Sequence, residues 1–387
     1  MKIAYITYYP ARTVTYDGWS GTSFNIAQAL QAQGLSLDYV HFAPGRRTPL
    51  DKIVHRLYHR PKKNSAVTYF QKPFIQRSAR YVEKKIQAVD PDVIFIPGYL
   101  PSHLLASLLR VSQPIVIWSD ATCYLLHKYL PAYRDLSTDA LETWFSAEKR
   151  AYDRGRFLLF STGWAAQSAI QDHYIDPAKV RVIPFGANLP SQQPPAEVHE
   201  LIWSRTATSP CRLIFIGRNW FWKGGDIALA VVKRLNQLGL DTELTILGST
   251  PPADEPSPDY VKVIGLVDKG TPDGLSLMNS LLGASHFLLH PTRVDSSPIV
   301  FCEANSYGVP CLARRTGGVP WVVKDGINGM TFADDGIVEA LCDYIVELIK
   351  APARYQELAS ASYREYQTSL NWEVAGIRVR ALLDELV

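Results

Sequence analysis

The chain has 387 residues, long for one domain and suited to two of roughly 150–200 residues each. Its composition, 47% hydrophobic and 20% charged, excludes a disordered tail protein, a collagen-like repeat or a small disulfide scaffold. The formal charge of +3 hides a sharp asymmetry: residues 46–85 carry twelve Lys/Arg against Asp51 and Glu83, net +10, which leaves −7 for the remainder. So one-sided a block points to an anionic partner: lipid headgroups, a phosphorylated acceptor or nucleic acid. No apolar run approaches the ~18–20 residues of a membrane span, and the apolar stretch after Lys2 is too short for a signal peptide, so a cytoplasmic location is expected. Cys123, Cys211, Cys302, Cys311 and Cys342 form no C-x-x-C pair, and free, packed thiols are expected.

In chain order, β-rich runs at Ile3–Tyr8, Leu37–Phe42, Asp92–Pro97, Pro114–Trp118, Phe157–Ser161 and Val180–Pro184 alternate with helical patterns, among them Thr138–Arg154. Residues 191–210, rich in Pro, Ser, Gln and Thr, read as a linker. Strands follow at Arg212–Ile216, Glu243–Leu247, Val261–Gly265, His286–His290 and Pro310–Ala313, with helices near 226–238, 275–283, 298–308, 337–349 and 371–386. This is an α/β pattern of two doubly wound parallel-sheet domains, 1–190 and 211–368, with 369–387 as a terminal helix. Ligands of such sheets bind at the carboxyl ends of strands, so two domains of this kind are expected to face a central cleft.

Three loops carry candidate chemistry. The first holds Gly18 and Gly21 ahead of a helix, an arrangement that admits an anion to backbone N–H groups, although it is not G-x-G-x-x-G. The second, Gly217-Arg218 to Lys223-Gly224-Gly225, places two cations five residues apart on a strand-to-helix loop that is not a P-loop, a spacing suited to a diphosphate. In the third, Pro298 suits the first helical position and Ser297 its N-cap, leaving the amides of Ile299 and Val300 for a phosphate or sugar oxygen. Asp295 and Glu303 bracket that helix start and could hold sugar and ribose hydroxyls at opposite ends of one ligand, or cap the helix and form a buried pair.

The early glycine loop, the VRVIPFGAN segment, the GR…KGG loop and the carboxylate pair followed by EANSYGVPCLARRTGGVPWVVKDGINGMTF occur in the order found in family-4 glycosyltransferases. The chain resembles that family: retaining, nucleotide-sugar-dependent enzymes of the GT-B fold, built from two Rossmann-like domains. The resemblance implies that Arg218 and Lys223 bind the donor diphosphate, Glu303 the ribose and Asp295 the transferred sugar. It implies that Pro298, Ile299 and Val300 contact sugar and phosphate, that Gly265 and Leu266 border the base, that the Gly18–Gly21 loop meets the phosphate, and that residues 369–387 pack back on the N-terminal domain. The family usually has Glu where Asp295 stands, and many members place a His in the segment matching Ile117–Thr122. Here Asp120 is the substitute candidate, as partner of the acceptor hydroxyl or the sugar, or as a helix cap.

The expected activity is retaining, metal-independent transfer of a hexosyl-type sugar from a UDP-sugar, ahead of a GDP-sugar, to a hydroxyl on a glycolipid, lipid-linked or polysaccharide-precursor acceptor. No cofactor is expected. The basic block implies docking at an anionic membrane surface or on an anionic acceptor. The competing readings are a nucleic-acid binder using residues 46–85, which lacks a recognition motif, and a GT-B epimerase or phosphorylase. His55 and His59 lack a third ligand, so no metal site is indicated.

Overall fold

The computed structural model describes residues 1–7, 19–42, 72–98, 101–130, 133, 134, 136, 138–189, 193–206, 209–254 and 257–386. The described chain divides into two compact units, Met1–Ile183 with Gly376–Val387, and Pro184–Ala375. Each is built on a six-stranded parallel sheet, as the alternating strand and helix pattern predicts.

The first unit contains β1 (Lys2–Thr7), β2 (Ser36–His41), β3 (Val93–Pro97), β4 (Ile115–Ser119), β5 (Gly155–Phe160) and β6 (Val180–Val182), in spatial order β2-β1-β3-β4-β5-β6. Residues of β1, β3 and β4 are buried almost throughout, so these strands read as continuous apolar runs rather than alternating ones. Among the described residues of this unit are the helices Thr22–Ala32, Lys72–Val89, Pro101–Leu108, Cys123–Tyr129, Thr138–Arg154 and Gly163–Gln171. Gly376 packs close to the carbonyl of Ala29, and Arg380 Nη1 donates to the Gln33 carbonyl at 3.2 Å, which anchors the chain's terminal stretch in this unit.

The second unit contains β7 (Cys211–Ile216), β8 (Thr242–Leu247), β9 (Val261–Gly265), β10 (Phe287–His290), β11 (Cys311–Arg314) and β12 (Gly329–Phe332), in order β12-β11-β10-β7-β8-β9. Strand order therefore reverses between β7 and β10, the position at which open parallel sheets bind ligands. All five cysteines are free and buried.

Several local expectations change. Residues 195–206, read as part of a linker, form a helix that buries Val198, Ile202 and Arg205; the Arg205 guanidinium donates to the carbonyls of Ser285 and Tyr307, both at 2.8 Å. The helix at Pro352–Thr368 was not foreseen, because its inward stripe is Tyr355, Leu358, Ala359, Ser362, Tyr363 and Tyr366 rather than aliphatic. Strand β12 and the helices at Lys72–Val89 and Gly163–Gln171 were likewise not foreseen.

Candidate functional site

The loops that leave β7 and β10 flank the reversal point of the second sheet. After β7 the chain turns at Gly217, forms the short helix Trp220–Lys223 capped by the Asn219 side chain, and stops at Gly224. Gly224 has φ +78°, and a Cβ there would collide with the Pro291 carbonyl. Glycine is needed for both reasons. After β10, Arg293 holds the two loops together: its guanidinium pairs with both oxygens of Asp226 at 2.8 and 2.6 Å, lies 3.9 Å from the Phe221 ring centroid, and its amide donates to the Trp222 carbonyl at 2.8 Å. The loop after β11 closes the arrangement, with the Gly318 amide donating to the Asp295 carbonyl at 2.9 Å.

The result is an ion pair between Lys223 Nζ and Asp295 Oδ2. His290, the last residue of β10, lies with Nε2 3.9 Å from the same oxygen. Its ring stacks on Phe215 and meets Phe301 edge-on. Burial would raise the Asp295 carboxyl, but chiefly the charge of Lys223, with the His290 ring beside it, outweighs burial and holds the group at about 2. Burial pushes His290 down, favouring its neutral form. Arg218 is exposed at the start of the same loop.

Pro298 is itself the N-cap of the helix Ile299–Asn305, and no side chain caps it, so Ser297 does not take the capping role assigned to it. Proline removes a donor and fixes φ, while Ile299 and Val300 occupy the first helical positions, where amides have no carbonyl within the helix. Glu303, on the same helix, is 1% exposed; one carboxylate oxygen pairs with Lys269 and Oε2 has no hydrogen-bond partner. Gly265 ends β9 with φ +79°, and Leu266 beyond it is 66% exposed.

In the first unit, Asp120 follows β4 and accepts from Trp19 Nε1 at 3.4 Å. Trp19, Ser20 and Gly21 all have positive φ, an unusual conformation for the first two. Gly21 caps the helix Thr22–Ala32, and Gly18 lies outside the described residues. The Asp120 loop is tied down from beneath. Ser119 Oγ donates to the Ala121 carbonyl at 2.9 Å, and the Cys123 amide donates to Glu148 Oε2 at 2.7 Å. Glu148 is 1% exposed and also meets His103 Nδ1 at 2.7 Å and His173 Nε2 at 3.0 Å. Burial would raise its carboxyl, but the hydrogen bond with His103 and the close approach of His173 win and hold it well below the usual range. Of the basic block, residues 46–71 lie outside the described residues. The rest falls on the helix Lys72–Val89, which exposes Arg77, Arg80, Tyr81, Lys84 and Lys85.

Sequence reasoning missed Lys269, Arg293 and the buried Glu148 cluster. A single lysine in VDKGTPDG carries no spacing signal, and Glu148 meets partners 45 and 25 residues away. Among the described residues no group of three or more His, Cys, Asp or Glu is arranged to hold a metal ion, and no helix is long and apolar enough to cross a membrane.

Residues 18–189 match the family model for Glycosyltransferase Family 4, and residues 210–351 that for Glycosyl transferases group 1. The chain belongs to the family-4 type of GT-B glycosyltransferases. Among curated members, D-inositol 3-phosphate glycosyltransferase of Mycobacterium avium is 24% identical over 233 residues, covering 58% of this chain and 54% of its own length. Glycogen synthase of Thermus thermophilus is 25% identical over 171 residues, 43% of this chain and 38% of its own. The match thus spans about half the length of the first relative and less of the second. Solved GT-B structures share the fold along the whole chain. Sucrose-phosphate synthase from Thermosynechococcus elongatus superposes with TM-score 0.72 at 15% identity, covering 100% of this chain and 98% of its own. HepE from Anabaena, in complex with UDP and glucose, gives 0.62 at 16% identity, covering 99% of each chain.

Proposed function

We propose that this chain transfers a sugar from a nucleoside-diphosphate sugar to an acceptor hydroxyl with retained anomeric configuration and without a metal. The observation that carries the reading is the Lys223–Asp295 pair at the reversal point of the second sheet. A cation there faces where a diphosphate binds such a sheet, and a carboxylate beside it accepts hydrogen bonds from sugar hydroxyls.

Arg218 and Lys223 supply charge against the leaving diphosphate, and the amides of Ile299 and Val300 add donors to it. Glu303 takes the ribose, with Gly265 and Leu266 bordering the base. The bond from the anomeric carbon to the diphosphate oxygen breaks, the acceptor oxygen bonds to that carbon on the same face, and the acceptor proton passes to the departing phosphate. Asp120 then orients the acceptor hydroxyl or the sugar rather than serving as the base. UDP is the preferred carrier, in keeping with the HepE complex. Thermal unfolding with UDP-, GDP- and ADP-sugars tests the donor, because a ligand of the folded state alone raises its stability. A rise with a UDP-sugar is expected; no rise with any of them would sink the proposal.

The acceptor belongs to a glycolipid, lipid-linked or polysaccharide-precursor class, and the exposed cations Arg77, Arg80, Lys84 and Lys85 favour an anionic one or an anionic membrane surface. Sedimentation with vesicles should deplete the protein only when anionic lipid is present, and indifference to lipid charge would remove the membrane docking.

A further inference from the structure

Glu303 and Lys269 form a buried pair with unequal ends. The Glu303 side chain is 1% exposed and that of Lys269 16%. Carboxylates so placed are strongly disfavoured unless paired and hydrogen-bonded. Lys269 satisfies Oε1, while Oε2 is buried without a hydrogen-bond partner. Because the lysine already balances the charge, the remaining need of Oε2 is a neutral O–H donor rather than a second cation.

Lys269 reaches Glu303 from a stiff loop. The Gly270 amide donates to Asp268 Oδ1 at 2.9 Å, and Thr271 Oγ1 donates to the Asp268 carbonyl at 2.9 Å. Thr271 Oγ1 also accepts from the Gly274 amide at 3.2 Å, capping the helix Pro272–Ala284. The backbone under Lys269 is therefore set by the start of a thirteen-residue helix. The same loop begins at Gly265 and Leu266, beside which the nucleotide base is placed in the reading above.

We infer that Lys269 is a positioning residue for nucleotide recognition: by holding Oε1 it turns the Glu303 carboxylate so that Oε2 accepts a hydrogen bond from a ribose hydroxyl. Lys269 itself need not touch the ligand. The inference rests on the proposed donor site, and its test separates the two.

The affinities of the full chain for UDP, 2′-deoxy-UDP, 3′-deoxy-UDP and inorganic pyrophosphate are measured by calorimetry. The parent should prefer UDP over at least one deoxy analogue by about tenfold or more, the usual consequence of leaving a charged acceptor unsatisfied. Lys269→Met should cut that preference to about threefold or less, with pyrophosphate affinity unchanged because Arg218 and Lys223 are intact. Should Lys269→Met melt at the assay temperature, Lys269→Arg decides: its fork can occupy both carboxylate oxygens, so the preference should vanish in a folded protein. A purely structural lysine would lower the melting temperature and leave the preference intact, which overturns the inference. A parent that binds pyrophosphate but neither UDP nor its analogues removes the nucleotide site, and the inference with it.

Discussion

Lys223 and Asp295 are paired across 72 residues of sequence, on loops that leave two adjacent parallel strands. Arg293 binds one loop to the other through Asp226 and the Phe221 ring, so the pair is held by its surroundings as much as by its own attraction. Lys223→Met leaves the Asp295 carboxylate, 13% exposed, without its cation. We expect a loss of about 2 kcal/mol at neutral pH, below the value for fully buried pairs because Lys223 is partly exposed. With its carboxyl held at about 2 in the folded chain against ~3.9 when unfolded, Asp295 stabilises the fold above pH ~4, and this is lost as pH falls toward 2. Urea unfolding at several pH values should show a flatter acid limb in the variant, together with loss of transfer.

Gly224→Ala should be more damaging than Gly239→Ala. Both positions have positive φ, but a Cβ at Gly224 strikes the Pro291 carbonyl, whereas nothing lies within 4 Å of one at Gly239. The backbone cost alone is about 1–2 kcal/mol. Gly224→Ala adds a displacement of the loop bearing Asp295. Comparing melting temperatures and transfer rates of the two variants checks the difference: Gly239→Ala should keep activity and Gly224→Ala should lose it.

Asp120→Ala is expected to slow transfer while leaving donor hydrolysis measurable, since the groups proposed to bind the donor lie on the second sheet. Glu148→Gln should slow transfer as well, because it weakens the anchor at the Cys123 amide and the contacts with His103 and His173. It should also cost about 3 kcal/mol, as expected when a buried charged network loses its centre. Equal transfer rates in Asp120→Ala and the parent would take Asp120 out of the mechanism.

Acid should weaken the second unit well above pH 4. His286 is buried; its Nδ1 accepts from the Arg212 amide at 3.0 Å and its Nε2 meets the Arg205 carbonyl at 2.8 Å, a pattern that requires the neutral ring. Burial, only partly offset by the Arg205 carbonyl, lowers it to about 4. The unfolded chain takes up this proton near pH 6.5, so stability present above that pH falls as pH drops toward 4, by up to about 3 kcal/mol. Denaturation at pH 7 and 4.5 should show the fall in the parent, and His286→Gln should be less stable at pH 7 but less sensitive to acid.

The resemblance was carried by short loops whose residue types are dictated by local chemistry: Arg218, Lys223, Asp295, Glu303 and the glycines around them. All strand positions but β12 were equally legible, because central parallel strands buried on both faces, such as β1, β3 and β4, are apolar along nearly their whole length. By contrast, the helix Pro352–Thr368 has a Tyr-lined rather than an aliphatic stripe, and the buried Ala79, Val82 and Ile86 of the helix Lys72–Val89 are outnumbered by charged residues, so neither stood out as an amphipathic helix.

The amino-acid sequence by itself determined two parallel-sheet units, the order of their strands along the chain and the loops that bear charge, since each follows from periodicity, turn chemistry or spacing within a few residues. Only the tertiary structure decided which strands lie side by side, and with that which distant charges meet. Lys269 with Glu303, Glu148 with His103 and His173, and Arg293 with Asp226 are pairings over 25 to 67 residues. No local pattern encodes them, because a buried charge is stabilised by whatever group the fold brings to it, and that group is chosen by the order of the sheet.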